Sequence, residues 1–253
     1  MRSFTVIGAV AVIDAGPARE ERALVKDILR THPQIKTIMK KTSPRKGTYR
    51  RHALTILYKR KTDDGLRQTE TIHKEFGCAY LLDVAKAFFN PRESRIRSEI
   101  ADEVRDGEQV LVMFCGVGPY PVLIAKRRRC LVTGIELNPT AAAYAEENVR
   151  KNKVQERVRI IRGDVRKAEG TYDRIVMPLA TEAYRYFPLA LRHIRKGGII
   201  HLYGLAREGS RETEDVIAAA ADEARKKVRI ISVRRGVPYS PRVTTAYYDV
   251  KVE

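Results

Sequence analysis

Two acids and a pair of glycines, each at the end of an apolar run, are the residues of this chain best placed to do chemistry. Val110-Leu-Val-Met-Phe-Cys-Gly-Val-Gly-Pro-Tyr120 leads an apolar run into a Gly-x-Gly turn. Gly134-Ile-Glu-Leu-Asn-Pro139 ends the next run on Glu136, and Gly163-Asp164-Val165 ends a third on Asp164. Glycine lets a backbone approach a ligand closely, and a carboxylate at the tip of the following strand takes ribose hydroxyls. The third position suits reading of an adenine amino group, although an Asp there also serves as a plain helix N-cap. Three such tips in this order predict a nucleoside site formed by Phe114, Gly116, Gly118, Glu136 and Asp164. Their neighbours Leu137 and Val165 join it, as does Pro178 at the end of the fourth run. Pro121 stands where a dinucleotide fingerprint needs its third Gly or Ala, which disfavours NAD and favours a mononucleoside.

Short strands alternating with helices must hold these tips. The periodicity predicts Gln109–Phe114, Leu131–Leu137, Val158–Arg162, Arg174–Met177 and Ile199–Tyr203 as strands. Between them it predicts helices over Tyr120–Arg128, Thr140–Asn152 and Ala183–Ile194. That alternation gives a doubly wound α/β sheet with right-handed crossovers. Ser210–Lys226 is an Ala-rich helix, and Val228–Arg234 and Ala246–Val252 complete the sheet. Arg92–Val104 is a helix with Ile96, Ile100 and Val104 on one face. Upstream, Phe4–Ile13, Thr37–Met39 and Ala53–Tyr58 read as strands and Arg19–Arg30 as a helix. Asp63-Asp64-Gly65 reads as a hairpin turn into Gln68–His73, and Phe76–Leu82 as a further strand. Two blocks follow: a basic α/β unit over 1–84 and the nucleoside-binding unit over 85–253.

Charge gives a second, independent signal. The chain carries a net +18, and between Ile28 and Thr62 it has eleven Lys or Arg residues and no acid. Charge of one sign, unmixed, calls for a polyanionic partner, whereas a thermophile surface would interleave signs into ion-pair networks. Lys40, Lys41, Arg45, Lys46 and Arg50 are the candidate phosphate contacts. No apolar run approaches the roughly 20 residues of a membrane span. Three scattered cysteines without metal spacing point to a reducing cytoplasm and no metal site. Partners are therefore expected to exclude membranes, and a monomer is expected.

Ile135-Glu136-Leu137-Asn138-Pro139, followed by Glu147-Asn148-Val149-Arg150-Lys151-Asn152, resembles class I S-adenosylmethionine-dependent methyltransferases acting on RNA. More narrowly, the chain resembles the archaeal and eukaryotic tRNA guanine-37 N1-methyltransferases and their wybutosine-pathway relatives. Val6-Ile7-Gly8, Lys36-Thr37-Ile38-Met39-Lys40-Lys41, Phe88-Phe89-Asn90-Pro91-Arg92, Phe114-x-Gly-Val-Gly-Pro119 and Tyr239-Ser240-Pro241 carry that likeness. The resemblance implies a seven-stranded Rossmann-like sheet that binds S-adenosylmethionine, a small basic N-terminal domain, and tRNA as partner. From its length, this chain is expected to lack the separate N-terminal tRNA-binding domain that many such enzymes carry.

Guanine N1 holds its proton near neutral pH, so methylation there needs a base for that proton and a cation for charge moving onto O6. The resemblance assigns the cation to Arg92, with Arg51 or Arg50 from the first block. It also implies an acid four residues after Arg92, where this chain has Ile96, and an Asn at the fourth strand tip, where it has Pro178. Val112 likewise replaces an expected acid. Glu93, three residues from Ile96, is the candidate substitute base. N1 methylation of guanine 37 is the leading expectation. Aminocarboxypropyl transfer from the same cofactor, and a catalytically silent RNA- and cofactor-binding protein, are the alternatives.

Overall fold

The computed structural model describes all residues except 1–3, 45, 46, 48, 50, 51, 62, 180, 181 and 241. The chain begins with β1 (Phe4–Ile7) and β2 (Val10–Ile13), antiparallel strands joined at Gly8-Ala9. The single strand expected over Phe4–Ile13 is thus two, because Gly8 takes φ +55 and turns the chain. Helix α1 (Ala18–Thr31) carries the chain across to β3 (Thr37–Lys41), parallel to β2, and β4 (Leu54–Lys59) returns antiparallel. One face of this four-stranded sheet packs Ala11, Ile13 and Ile38 against Ile28 of α1. The other face presents Val10, Val12 and Met39 toward Val84.

Strand β4 does not turn back into the next strand as the Asp63-Asp64-Gly65 signal implied. Asp64 accepts the Leu66 N–H and pairs with Lys36 Nζ at 3.0 Å, so the bend redirects the chain away from β4. The hairpin is instead β5 (Glu70–Glu75) with β6 (Cys78–Asp83), turning at Phe76-Gly77, both with positive φ. Phe76, expected in a strand, is a turn residue.

Pro91–Glu93 forms a single 3-10 turn leading into α2 (Ser94–Glu103). There follow β7 (Gln109–Met113), α3 (Pro119–Arg127), β8 (Leu131–Glu136), α4 (Pro139–Lys151), β9 (Val158–Arg162) and β10 (Tyr172–Met177). Helix α5 is shorter than expected, Phe187–His193 after a 3-10 turn at Ala183–Tyr186, with Pro188 in its first turn. Then come β11 (Ile194–Arg207), α6 (Glu212–Glu223), β12 (Val228–Ser240) and β13 (Val243–Val252). The strands form one seven-stranded sheet in the order β12-β13-β11-β10-β7-β8-β9. The order reverses after β7, where β8 lies on one side and β10 on the other, and a ligand crevice is expected at the carboxyl ends there. No helix among the described residues is long and apolar enough to cross a membrane.

The β5–β6 hairpin rests on α4 through two asparagines. Asn148 bonds the N–H and C=O of Leu81 and the carbonyl of Val117; Asn152 bonds the N–H and C=O of Ala79. Side-chain amides placed in this way satisfy backbone groups that an edge strand would leave bare.

Candidate cofactor and substrate site

The turn after β7 is shaped by its backbone. Phe114, Gly116 and Gly118 all have positive φ, at +58, +58 and +85. Phenylalanine in that region is strained and persists only where its surroundings hold it; here the ring meets Tyr186 edge-on at 4.9 Å. A Cβ on Gly116 would have only the Phe88 carbonyl within reach, at 3.7 Å, so the space before this turn is open. A Cβ on Gly118 would press on Ala145 of α4 at 3.3 Å. One glycine therefore serves close approach by a ligand and the other serves packing.

Glu136 sits at the tip of β8 and braces this turn. Its carboxylate accepts the Gly116 N–H and the Asn138 N–H, both at 2.8 Å. Burial raises its pKa above the ordinary carboxylate value, while backbone donors at Asn138, Gly116 and Leu137 pull it back. Leu137 beside it is 39% exposed, an apolar surface at the mouth of the crevice. Asp164 caps the turn Val165–Lys167 and takes the Arg166 guanidinium on both oxygens, which holds its pKa down at about 2. Val165 is buried behind it, and Pro178 is half-buried at the end of β10. The open cradle at Gly116 and the desolvated acceptor at Glu136 fit the sugar and base of a nucleoside. No metal-binding or redox group is needed to explain either.

The segment 84–92 runs from this turn to the small sheet. Asn138 caps α4 through Thr140 and donates from Nδ2 to the Lys86 carbonyl at 2.9 Å. Asn90 accepts the Arg92 N–H, and its Nδ2 donates to Glu93 Oε1 at 2.8 Å. Arg92 is exposed and has no ion-pair partner among the described residues. Glu93 faces the other way. It is 9% exposed, with the Tyr203 hydroxyl at 3.3 Å and Arg97 Nη1 at 4.0 Å. Its carboxylate thus holds the Asn90-Pro91-Arg92 turn from inside. Ile96 joins Ile100 and Val104 in the core.

Arg92 lines a cavity of about 210 Å³ between this segment and the small sheet. Val12, Leu54, Phe88 and Phe89 supply apolar walls, and Lys41, His52, Asn90 and Arg92 supply polar groups. Lys40 and Lys41 diverge, because successive strand residues point to opposite faces. Lys40 pairs with Glu21 of α1 at 3.0 Å, and Lys41 turns to the cavity side, where Asp14 holds it at 2.8 Å. Arg45, Lys46, Arg50 and Arg51 lie outside the described residues. Composition gave no hint of this cavity, since its walls come from two blocks far apart in the chain.

A cluster of Glu103, His201 and Asp249 lies elsewhere on the large sheet, its ligand atoms within 4.8 Å of one another. Two guanidinium groups already occupy it. Arg174 meets His201 Nε2 at 2.7 Å, and Arg234 meets Asp249 at 2.6 and 2.7 Å. Their charge stands where a cation would have to sit.

Comparison with known proteins agrees with this geometry. Residues 71–231 match the TRM5/TYW2 methyltransferase domain. The chain belongs to that family. It is 35% identical to the tRNA (guanine(37)-N(1))-methyltransferase Trm5b of Pyrococcus abyssi, across 99% of this chain and 74% of that one. It is 28% identical to the tRNA(Phe) (4-demethylwyosine(37)-C(7)) aminocarboxypropyltransferase of Methanocaldococcus jannaschii, across 99% and 98%. Among solved structures, Trm5b from Pyrococcus abyssi superposes with a TM-score of 0.87 at 34% identity, covering 99% of this chain and 75% of that one. A complex of aTrm5 with tRNALeu gives 0.86 at 26% identity, covering 99% and 72%. As a TRM5/TYW2 member the chain is an S-adenosylmethionine-dependent transferase, which agrees with the nucleoside cradle at Gly116 and Glu136.

Proposed function

We propose that this protein methylates N1 of the guanine at position 37 of tRNA. The observation that carries the reading is Arg92. It stands exposed in a cavity whose segment is tied to the cofactor turn through Phe88, Gly116 and Asn138. A cation there suits charge gathering on guanine O6 as N1 bonds to carbon. When bound, S-adenosylmethionine supplies a methyl group activated by its sulfonium. Phe114, Gly116, Gly118, Glu136, Leu137, Asp164, Val165 and Pro178 hold the cofactor in this reading, with Glu136 on the ribose and Asp164 on the base. Residues 1–84 form the RNA-gripping unit, with Lys41 and the basic segment following the backbone, and residues 85–253 form the transferase unit. The tRNA-bound relative and the net charge of +18 support tRNA as the substrate.

A second reading, aminocarboxypropyl transfer, draws support from the relative that matches over 98% of its own length. Pro178 at the β10 tip, where an Asn was expected, also favours it. Incubation with cofactor labelled separately in the methyl and the aminocarboxypropyl carbons, followed by nucleoside mapping, tests both. We expect 1-methylguanosine at position 37 and no product on a transcript carrying adenosine there. Label from the aminocarboxypropyl carbons alone would replace the first reading by the second.

A further inference from the structure

The cavity beside Arg92 contains a group that the family likeness does not assign. We propose that His52 is the catalytic proton acceptor, taking the guanine N1 proton on Nε2. This rests on the methyl-transfer reading above. Guanine N1 is protonated near neutral pH, and a base must receive that proton.

The walls of the cavity narrow the choice. Its titratable residues are Lys41 from β3, Arg92 from the 3-10 turn, and His52 from the irregular segment that leads into β4; no carboxylate lines it among the described residues. Lys41 is an ammonium held by Asp14 at 2.8 Å, and a guanidinium does not give up its proton. Glu93 is turned into the protein against Asn90 and Tyr203, and Ile96 is core. Of the three lining groups, only imidazole can accept a proton at neutral pH.

His52 is also held in the right tautomer. Its Nδ1 lies 2.8 Å from the Ser43 carbonyl oxygen. A carbonyl cannot donate, so Nδ1 carries the hydrogen and the lone pair of the neutral ring is on Nε2. The anchor extends the sheet. The Thr42 N–H donates to the Ala53 carbonyl at 2.9 Å, and Ser43 Oγ accepts the Ala53 N–H at 3.0 Å. As the N1–C bond forms and the S–C bond breaks, its electron pair staying on sulfur, the N1 proton moves to Nε2. The resulting imidazolium keeps its Nδ1–H bond to Ser43 and later releases the proton to water.

The test compares wild type with H52A and H52Q in single-turnover 1-methylguanosine formation between pH 5 and 9. Alongside, ¹⁵N shifts of the His52 ring are read in the protein without ligands. We expect an acid limb near pH 6.5 in wild type and a loss of about 10²- to 10⁴-fold at pH 7 in both variants. The limb should be absent from the variants, added imidazole should restore part of the H52A rate, and tRNA affinity should stay within about threefold. The Gln variant keeps a donor for Ser43, so an equal loss there excludes collapse of the loop. The ring should titrate from the Nδ1–H tautomer. Retention of a third or more of the rate, an unchanged acid limb, or an Nε2–H ring would overturn the proposal. A wild-type protein that makes no 1-methylguanosine, with His52 still in the Nδ1–H form, would overturn the N1 reading itself and with it the proton assigned here.

Discussion

Glu136 shows at residue scale how binding and stability oppose each other. A carboxyl whose pKa is raised by burial is disfavoured as an anion, so at neutral pH the charged form costs folding free energy. Two changes should separate the roles. E136A is expected to weaken S-adenosylmethionine binding by at least about tenfold in calorimetry, since hydrogen bonds to charged groups contribute about 1.5–3 kcal/mol. E136Q should leave Tm equal or higher while still losing affinity. Cofactor affinity should also fall on the acid side as Glu136 takes up its proton, a limb that E136Q lacks. At Arg92, R92A should lower the rate of transfer by about 10²-fold or more with little change in cofactor affinity. The place of Glu136 at the tip of β8 was legible from type and spacing, while Arg92 was singled out only by the family resemblance. The orientation of Glu93 was not legible, because helical spacing placed it near Ile96 without revealing Asn90 and Tyr203 on its inner side.

At the scale of elements, the β5–β6 hairpin joins parts of the chain that sequence order keeps apart. Arg97 of α2, fully buried, grips both oxygens of Glu75 on β5 at 2.7 and 2.8 Å. Removing one partner of a buried pair strands the other charge, so E75A should cost about 3–5 kcal/mol in denaturant unfolding. Adding R97M to E75A should recover a good part of that loss, and its failure to do so would assign the cost to packing instead. Asn148 should behave differently. N148A removes contacts to Leu81 and Val117 together, so it should weaken both stability and cofactor binding, the latter through a loosened Gly116 turn. The α/β alternation from β7 to β11 could be read in the sequence because each apolar run had a turn signal on both sides. The Asp63-Asp64-Gly65 turn could not be read correctly, since Lys36, distant in sequence, decides where Asp64 points. Likewise the adjacent Lys40 and Lys41 appear as one patch in the sequence and lie on opposite faces of β3.

For the whole molecule, the net charge of +18 makes the proposed encounter with tRNA dependent on salt. The tRNA dissociation constant should rise by at least about tenfold between 50 and 200 mM salt. A flat response would remove the basic segment from the binding surface. K41A should flatten the slope more than K40A, because Lys41 lines the cavity and its partner Asp14 is exposed, whereas Lys40 pairs with the buried Glu21 of α1 on the far face.

The turn at Gly8 has a consequence for how a substrate entering the cavity must behave. A Cβ there would collide with Thr71 Oγ1 at 2.3 Å and the Ile72 carbonyl at 2.4 Å, so the backbone at the tip of the small sheet lies directly against the hairpin. The Gly8 N–H reaches His73 Nδ1 and the Ala9 N–H reaches Thr71 Oγ1, closing the seam with donors as well as shape. A seam this close at Gly8, and tied by two hydrogen bonds, has little slack to act as a hinge. The two walls of the cavity therefore keep a set gauge, and in the proposed reaction the bending needed to deliver a nucleobase would fall on the tRNA.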